Sequence, residues 1–240
     1  VVTVAEERSN WRAVFWDIGG VILDSASVRR AHEAFVRAIV ETHAPEESVE
    51  DALAQWRTAV GTYFRKRDGT EFRPARTAYD RAVDEIAGTP ISEDEWRPVF
   101  ESVTTDTLRP NPGAVEAIER LAGTELHVGV VSDVDTEEGM RILETFGVKG
   151  RFDSITTSEM VGRTKPDPRM FETALRAADV SPTDAAMIGD RYDHDIAGAS
   201  AVGMTAIGYG AEDGPETDYT IDDLREVLSI VGVEREESDG

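Results

Sequence analysis

The sequence predicts an α/β fold, a Rossmann-like, doubly wound parallel sheet core with an α-helical domain inserted after the first strand. Three observations lead there. A short apolar run at 13–17 ends on an acid; four helical patterns then follow with no strand between them; and from about residue 108 short apolar runs alternate with amphipathic segments. Such alternation builds βαβ units, because parallel strands need a crossover and a helix is the usual one.

Residues 13–17 read as a buried strand within VFWDIGGVILDS at 14–25. Apolar residues then recur at helical spacing over 28–42 (Ala31, Phe35, Ala38, Ile39) and 48–64 (Val49, Leu53, Trp56, Val60). The pattern continues over 75–87 (Tyr79, Val83, Ile86) and 92–105 (Trp96, Val99, Phe100, Val103). Ser92 is the expected N-cap of the last helix, with Glu95 completing a capping box. Pro112 is expected to open, and Gly123 to close, a helix over GAVEAIERLA. A strand at LHVGVVSD, a helix over 136–146 ended by Gly147 and a short strand at FDSIT come next. A helix over 168–178, a strand at AAMIGD, a helix over 193–201 and a strand at MTAIGY complete the pattern. The expected organisation is a core of residues 1–24 and 108–240, a helical domain at 25–107, and a frayed acidic C-terminus.

The 240 residues include no cysteine, which excludes disulfides and thiolate metal sites and fits a reducing compartment. The first residues lack the basic start and apolar stretch of a secretory signal, and no apolar run approaches membrane-spanning length. A cytoplasmic protein is expected. With 48 acidic against 25 basic residues the net charge is −23, which repels nucleic acid and anionic membranes, so neither is an expected partner. Two sources of this acidity stay open: adaptation to high intracellular salt, the preferred halophilic reading, and an ordinary acidic protein from an arginine-rich genome. Oligomeric state is not legible in the sequence.

Ligands of an open parallel sheet bind beyond the carboxyl ends of its strands. The predicted strands deliver Asp17, Ser132 with Asp133, and Gly189 with Asp190 to that edge; Asp195 follows closely, and Lys165 lies between the last two strands' motifs. Carboxylates, a hydroxyl and a cation on one edge suit a hard divalent metal and a phosphoryl group.

The ordered motifs WDIGGV, GVVSD, TKPDPRMF and GDRYDHDIAGA resemble those of the haloacid dehalogenase superfamily, over essentially the whole core. The inserted helices stand where that family carries its cap. The resemblance implies a Mg²⁺-dependent phosphatase acting on a small anionic phosphorylated metabolite, such as a sugar phosphate. It implies that Asp17 is the nucleophile and becomes an aspartyl-phosphate. Asp17, the Gly19 carbonyl, Asp190 and Asp195 are implied to hold Mg²⁺, the last directly or through water. Ser132 and the Asp133 backbone N–H are implied to bind the transferring oxygens, and Lys165 to neutralise them while holding Asp17. On this reading Lys165→Met loses activity without losing the fold.

One residue departs from the family pattern. Most phosphate-hydrolysing members carry a second Asp two residues after the nucleophile, whose carbonyl binds the metal and whose side chain protonates the leaving group. Gly19 keeps the first contribution and lacks the second, which is typically worth about 10²–10⁴-fold. Four readings follow. The preferred one is an active phosphatase with another proton source, as in sugar-phosphate phosphatases with a similar Asp-x-Gly start. The second is a carbon–phosphorus hydrolase like phosphonoacetaldehyde hydrolase, with Lys66 as its Schiff-base lysine. The third is a dehalogenase proper, against which the Gly189–Asp190 pair argues. The fourth is a non-catalytic regulatory protein that binds phosphate and Mg²⁺. Asp24 is a candidate substitute acid, with helix capping as its alternative duty; His32 and His194 read as ordinary residues. The basic residues of 57–81 (Arg57, Arg65, Lys66, Arg67, Arg73, Arg76, Arg81) either receive an anionic substrate or pair with the abundant acids.

Overall fold

The structure is a computed structural model and describes residues 11–233. Its six strands are β1 (Ala13–Trp16), β2 (His127–Ser132), β3 (Ser154–Thr157), β4 (Ala185–Gly189), β5 (Thr205–Tyr209) and β6 (Tyr219–Ile221). They form one sheet in the order β3-β2-β1-β4-β5-β6, and every pairing is parallel. The chain therefore winds outward from β1 first to one side and then to the other, which leaves a crevice at the carboxyl end of β1 between β2 and β4.

β1 is buried on both faces. Val14 and Trp16 join one apolar cluster and Ala13 and Phe15 the other, as the two-residue period of a strand requires. After β1 come α1 (Ser25–His43), α2 (Val49–Arg65), α3 (Ala75–Ala87) and α4 (Glu93–Thr107). They are followed by α5 (Ala114–Ala122), α6 (Thr136–Thr145), α7 (Ser158–Val161), α8 (Pro168–Ala178), α9 (Ala197–Ala201) and α10 (Glu226–Ile230). Helices α5, α6 and α10 cover the Trp16 face of the sheet, with Ile118, Leu143 and Leu228 in its cluster. Helices α8 and α9 cover the Phe15 face with Phe171 and Ala199.

Helices α1–α4 bury a separate core of Phe35, Ile39, Trp56, Val83, Trp96 and Phe100. Phe35 meets Phe100 edge-to-face at 5.2 Å, the geometry that aromatic quadrupoles favour. His32 sits at the margin of this cluster, 5.5 Å from the Trp56 ring and 6.0 Å from Tyr79. Burial holds its imidazole down at about 4.

Several local expectations need correction. Ser92 does N-cap α4, but its hydroxyl donates to Glu95 Oε1 at 2.8 Å instead of accepting from a helix N–H, so the reciprocal capping box is absent. Helix α5 begins after Gly113, whose φ of 80° makes it the left-handed entry residue, and Pro112 precedes that turn. The helix expected over 193–201 is a π-helical turn, Tyr192–Ile196, running into the short α9. The acidic stretch after 212 is not frayed within the described residues: β6, α10 and the turn between them bury Ile221, Leu224, Val227 and Leu228. The rest of that tail, 234–240, and the first residues, 1–10, lie outside the described residues. Among the described residues no helix is long and apolar enough to cross a membrane.

The inserted helices are tied to the sheet domain at several points. The Asp135 carboxylate accepts from the N–H groups of Ala75 (2.9 Å) and Arg76 (3.3 Å), capping α3 from across the chain. Thr70 donates to Asp167 Oδ2 at 2.7 Å, and Phe72 N–H to the Gly162 carbonyl at 3.1 Å. Arg76 pairs with Glu159 at 3.0 Å.

Candidate active site

The register of the sheet brings the predicted strand ends together. Trp16 lies opposite Ile188 of β4 and Val130 of β2, so Asp17, Ser132 and Asp190 leave three neighbouring strands on one edge. Asp17 N–H still donates to the Ile188 carbonyl at 3.0 Å, extending the ladder by one bond. The Asp17 carboxylate folds back so that Oδ1 accepts from Ile18 N–H at 2.8 Å, leaving Oδ2 3.0 Å from Lys165 Nζ.

Lys165 is the hub of the site. Its side chain is 1% exposed and its ammonium also lies 2.6 Å from Asp195 Oδ1 and 3.0 Å from the Val131 carbonyl. Its backbone N–H is anchored on Asp133 Oδ1 at 2.8 Å, and the same oxygen accepts from Ser158 at 2.8 Å. Burial acts to lower the ammonium's pKa, yet the carboxylates of Asp17, Asp195 and Asp133 outweigh it and raise it, so Lys165 stays charged. Asp17 moves the other way from an ordinary acid. Burial, with the Asp195 and Asp133 charges behind it, overcomes the attraction of Lys165 and pushes Asp17 up to about 7. Asp190 is also raised, by burial and by Asp195.

These shifts describe an edge with more negative charge than one ammonium balances. Carboxylate oxygens of Asp17, Asp190 and Asp195 come within 4.8 Å of one another. Asp190 Oδ1 is buried with no hydrogen-bond partner. An all-oxygen donor set with one orphaned oxygen fits a hard divalent cation.

The two glycines of WDIGG differ sharply. Gly20 has a φ of +73°, and a Cβ there would lie 1.8 Å from Asp190 Oδ2, so backbone and space both demand glycine. At Gly19 a Cβ would meet nothing within 4 Å. Nothing in the packing forbids a side chain at position 19. The loop is further held by Asn111, whose amide donates to the carbonyls of Gly20 (2.8 Å) and Val21 (2.9 Å).

Other candidates are placed less centrally. Asp24 N-caps α1, accepting from Ala26 (2.8 Å) and Ser27 (2.9 Å), and these bonds hold its carboxyl below the usual range. Lys66 is exposed at the end of α2, without the desolvation that Schiff-base lysines use. Ser132 Oγ lies 3.4 Å from Ile18 N. His194 does more than decorate its loop: its Nδ1 lies 3.7 Å from Asp133 Oδ2. Burial acts to raise Asp133, but His194, Lys165 and Ser158 together hold it low.

Of the basic stretch, Arg76 pairs with Glu159, Arg73 stacks 3.9 Å over the Tyr63 ring, and Arg67 donates to Thr164 Oγ1 at 2.9 Å. Asn111, Asp135, Ser158 and Asp167 position this edge without being singled out by the sequence. Of these only Asp167 stands inside a motif the sequence marked, TKPDPRMF.

A family model described as haloacid dehalogenase-like hydrolase matches residues 11–203. Haloacid dehalogenase-like hydrolase domain-containing protein 3 of Mus musculus is 37% identical over 82% of this chain and 81% of its own length. A glyceraldehyde 3-phosphate phosphatase of Methanothermobacter thermautotrophicus is 27% identical over 82% of this chain and 84% of that protein. A ribulose-1,5-bisphosphate 5-phosphatase of Halopiger xanaduensis is 29% identical over 69% of this chain and 77% of that protein. The crystal structure of a HAD phosphatase from Thermococcus onnurineus superposes with a TM-score of 0.69 at 23% identity, covering 93% of this chain and 99% of that one.

Proposed function

Because this chain belongs to the haloacid dehalogenase-like hydrolases, we propose that it is a Mg²⁺-dependent phosphatase of small phosphorylated sugars that works through Asp17. One observation carries the reading: Asp17 stands at the end of the central strand, 3.0 Å from the buried Lys165 ammonium, with two further carboxylates gathered beside it. The substrate class is supported by the relatives named for glyceraldehyde 3-phosphate and ribulose 1,5-bisphosphate.

The Asp17, Asp190 and Asp195 carboxylates and the Gly19 carbonyl are the groups that would hold Mg²⁺. When bound, the ion supplies positive charge that screens an anionic phosphate from the carboxylates. Lys165 keeps Asp17 oriented and its charge in place. A carboxylate oxygen of Asp17 attacks phosphorus in line, the bond to the sugar oxygen breaks, and an aspartyl-phosphate forms. Ser132 and the Asp133 N–H steady the transferring oxygens. Water then attacks phosphorus, releasing inorganic phosphate and restoring Asp17. The departing sugar oxygen takes its proton from solvent or from the substrate, since position 19 offers none. Helices α1–α4 act as the cap, closing over the edge to exclude bulk water. The net charge of −23 supports a protein at home in high salt inside the cell.

A phosphate-release screen over phosphorylated sugars with Mg²⁺ in molar KCl tests this. Wild type is expected to release phosphate and Asp17→Asn to fall by more than about 10³-fold, the scale of losing an in-line nucleophile. Equal release by Asp17→Asn, or none by wild type, would overturn it.

A further inference from the structure

Several arginines of this acidic chain are paired with carboxylates. Arg97 pairs with Glu93, Glu101 and Glu137, Arg141 with Glu138, and Arg169 with Asp167. Arg67 is different. It follows α2 on the inserted helices and reaches down to Thr164, the residue before Lys165, with its Nη1 2.9 Å from Thr164 Oγ1. Its Nε is buried and has no hydrogen-bond partner, and no described carboxylate forms a salt bridge with it.

Its surroundings carry charges of both signs, Asp133 foremost among them. Arg73 and Arg191 both act on it as like charges, with Asp133 opposing them. Asp133 does not satisfy this group: its Oδ1 is taken by Lys165 N–H and Ser158, while its Oδ2 has no hydrogen-bond partner and lies 3.9 Å from Arg191 Nη1. Arg191 directly follows Asp190, so its guanidinium belongs to the same sheet edge. An arginine with an unused buried donor, held beside a second arginine above a phosphoryl site, is built to receive an anion.

Geometry decides which anion. An in-line attack by Asp17 sends the leaving group away from the sheet edge, toward the inserted helices that carry Arg67. Resting on the phosphatase reading above, we propose that Arg67, assisted by Arg191, binds a second anionic group of the substrate, so that the enzyme selects sugars bearing a further phosphate or a carboxylate over those with a single phosphate.

Steady-state kinetics on matched pairs test this. Ribulose 1,5-bisphosphate is compared with ribulose 5-phosphate, 3-phosphoglycerate with glyceraldehyde 3-phosphate, and p-nitrophenyl phosphate serves as the probe with no second anion. The first pair reads a phosphate partner and the second a carboxylate. Wild type should favour the doubly anionic member of at least one pair. Arg67→Gln should raise KM for that member about 10–100-fold, the scale of one hydrogen bond to a charged group, while leaving p-nitrophenyl phosphate unchanged. Arg67→Lys should recover part of the loss. No preference within either pair, or an equal loss on p-nitrophenyl phosphate, overturns the proposal; the latter would make Arg67 a strut or a ligand of the transferred group. Calorimetric binding of the same pairs to Asp17→Asn, with and without Arg67→Gln, reads the contact without turnover. Selective binding in the absence of hydrolysis supports the subsite while the phosphatase reading fails, and equal binding of both members rejects it.

Discussion

Lys165 Nζ lies 2.6 Å from Asp195 Oδ1, and the two side chains are 1% and 0% exposed. The same ammonium serves Asp17 at 3.0 Å, so one cation stands between the nucleophile candidate and a second carboxylate from the β4 motif. Removing it leaves buried like charges facing one another. Breaking a buried pair from one side typically costs about 3–5 kcal/mol. Lys165→Met is therefore expected to lose stability by about that amount as well as activity, against the simpler expectation of an inactive but intact fold. Urea unfolding monitored by circular dichroism reads the first loss and phosphate release the second.

Gly19 and Gly20 should respond in opposite ways to substitution. Gly19→Asp enters open space and is expected to change stability by less than about 1 kcal/mol, the range of substitutions that meet no packing conflict. Its carboxyl restores an acid beside the leaving group, so turnover of alkyl phosphates should rise while p-nitrophenyl phosphate, whose leaving group needs no proton, changes little. Gly20→Ala meets Asp190 and a positive φ together. It should unfold at lower urea concentration and lose activity on every substrate.

Metal binding has its own signature. Thermal melts of wild type should shift upward on adding Mg²⁺, because a ligand at one hundred times its Kd stabilises by about 2.7 kcal/mol. Asp190→Asn removes a carboxylate whose Oδ1 has no protein partner, so its melting point should be nearly independent of Mg²⁺. An equal shift in both proteins would place the ion elsewhere.

His32 makes the inserted helices sensitive to acid. Its folded-state value of about 4 lies below the ordinary 6.5, so between those pH values the unfolded chain binds a proton that the folded one does not. Stability from this group is thus fully present above about 6.5 and lost as pH falls toward 4, up to about 3 kcal/mol at 1.36 kcal/mol per unit. His32→Leu should flatten that part of the stability–pH curve. Chemical denaturation at pH 7.0 and 4.5 checks it, and identical slopes for the two proteins would remove His32 from the account.

Asp135 links the two sets of helices. Its carboxylate caps α3, and Asp135→Ala is expected to cost about 1–2 kcal/mol, the range for a lost N-cap. If the inserted helices close over the site as a cap, KM should rise more than kcat falls, which a kinetic comparison with wild type separates.

Much of this protein was legible residue by residue. Strand periods, the Gly123 stop signal, and the acids ending β1 and β4 are local features, and local features survive in a sequence because a turn or a strand end is decided by a few neighbouring residues. β6 and α10 were missed for the complementary reason. Their acidic surroundings read as solvated tail, whereas a few apolar residues, Ile221, Leu224, Val227 and Leu228, suffice to dock them on an existing core.

The sequence by itself determined the order of most elements as far as β5 and the set of chemical groups brought to one sheet edge. Tertiary structure decided how those groups are used: that Lys165 bridges Asp17 and Asp195, that Asp133 spends a carboxylate oxygen on Lys165 N–H and Ser158, and that Asp135 caps a helix sixty residues away. It also decided the standing of the two adjacent glycines, because the space a side chain would enter is bounded by residues distant in the chain. Gly20 is required by Asp190 packed against it; Gly19 is bounded by nothing, so its missing acid is a matter of chemistry and not of packing.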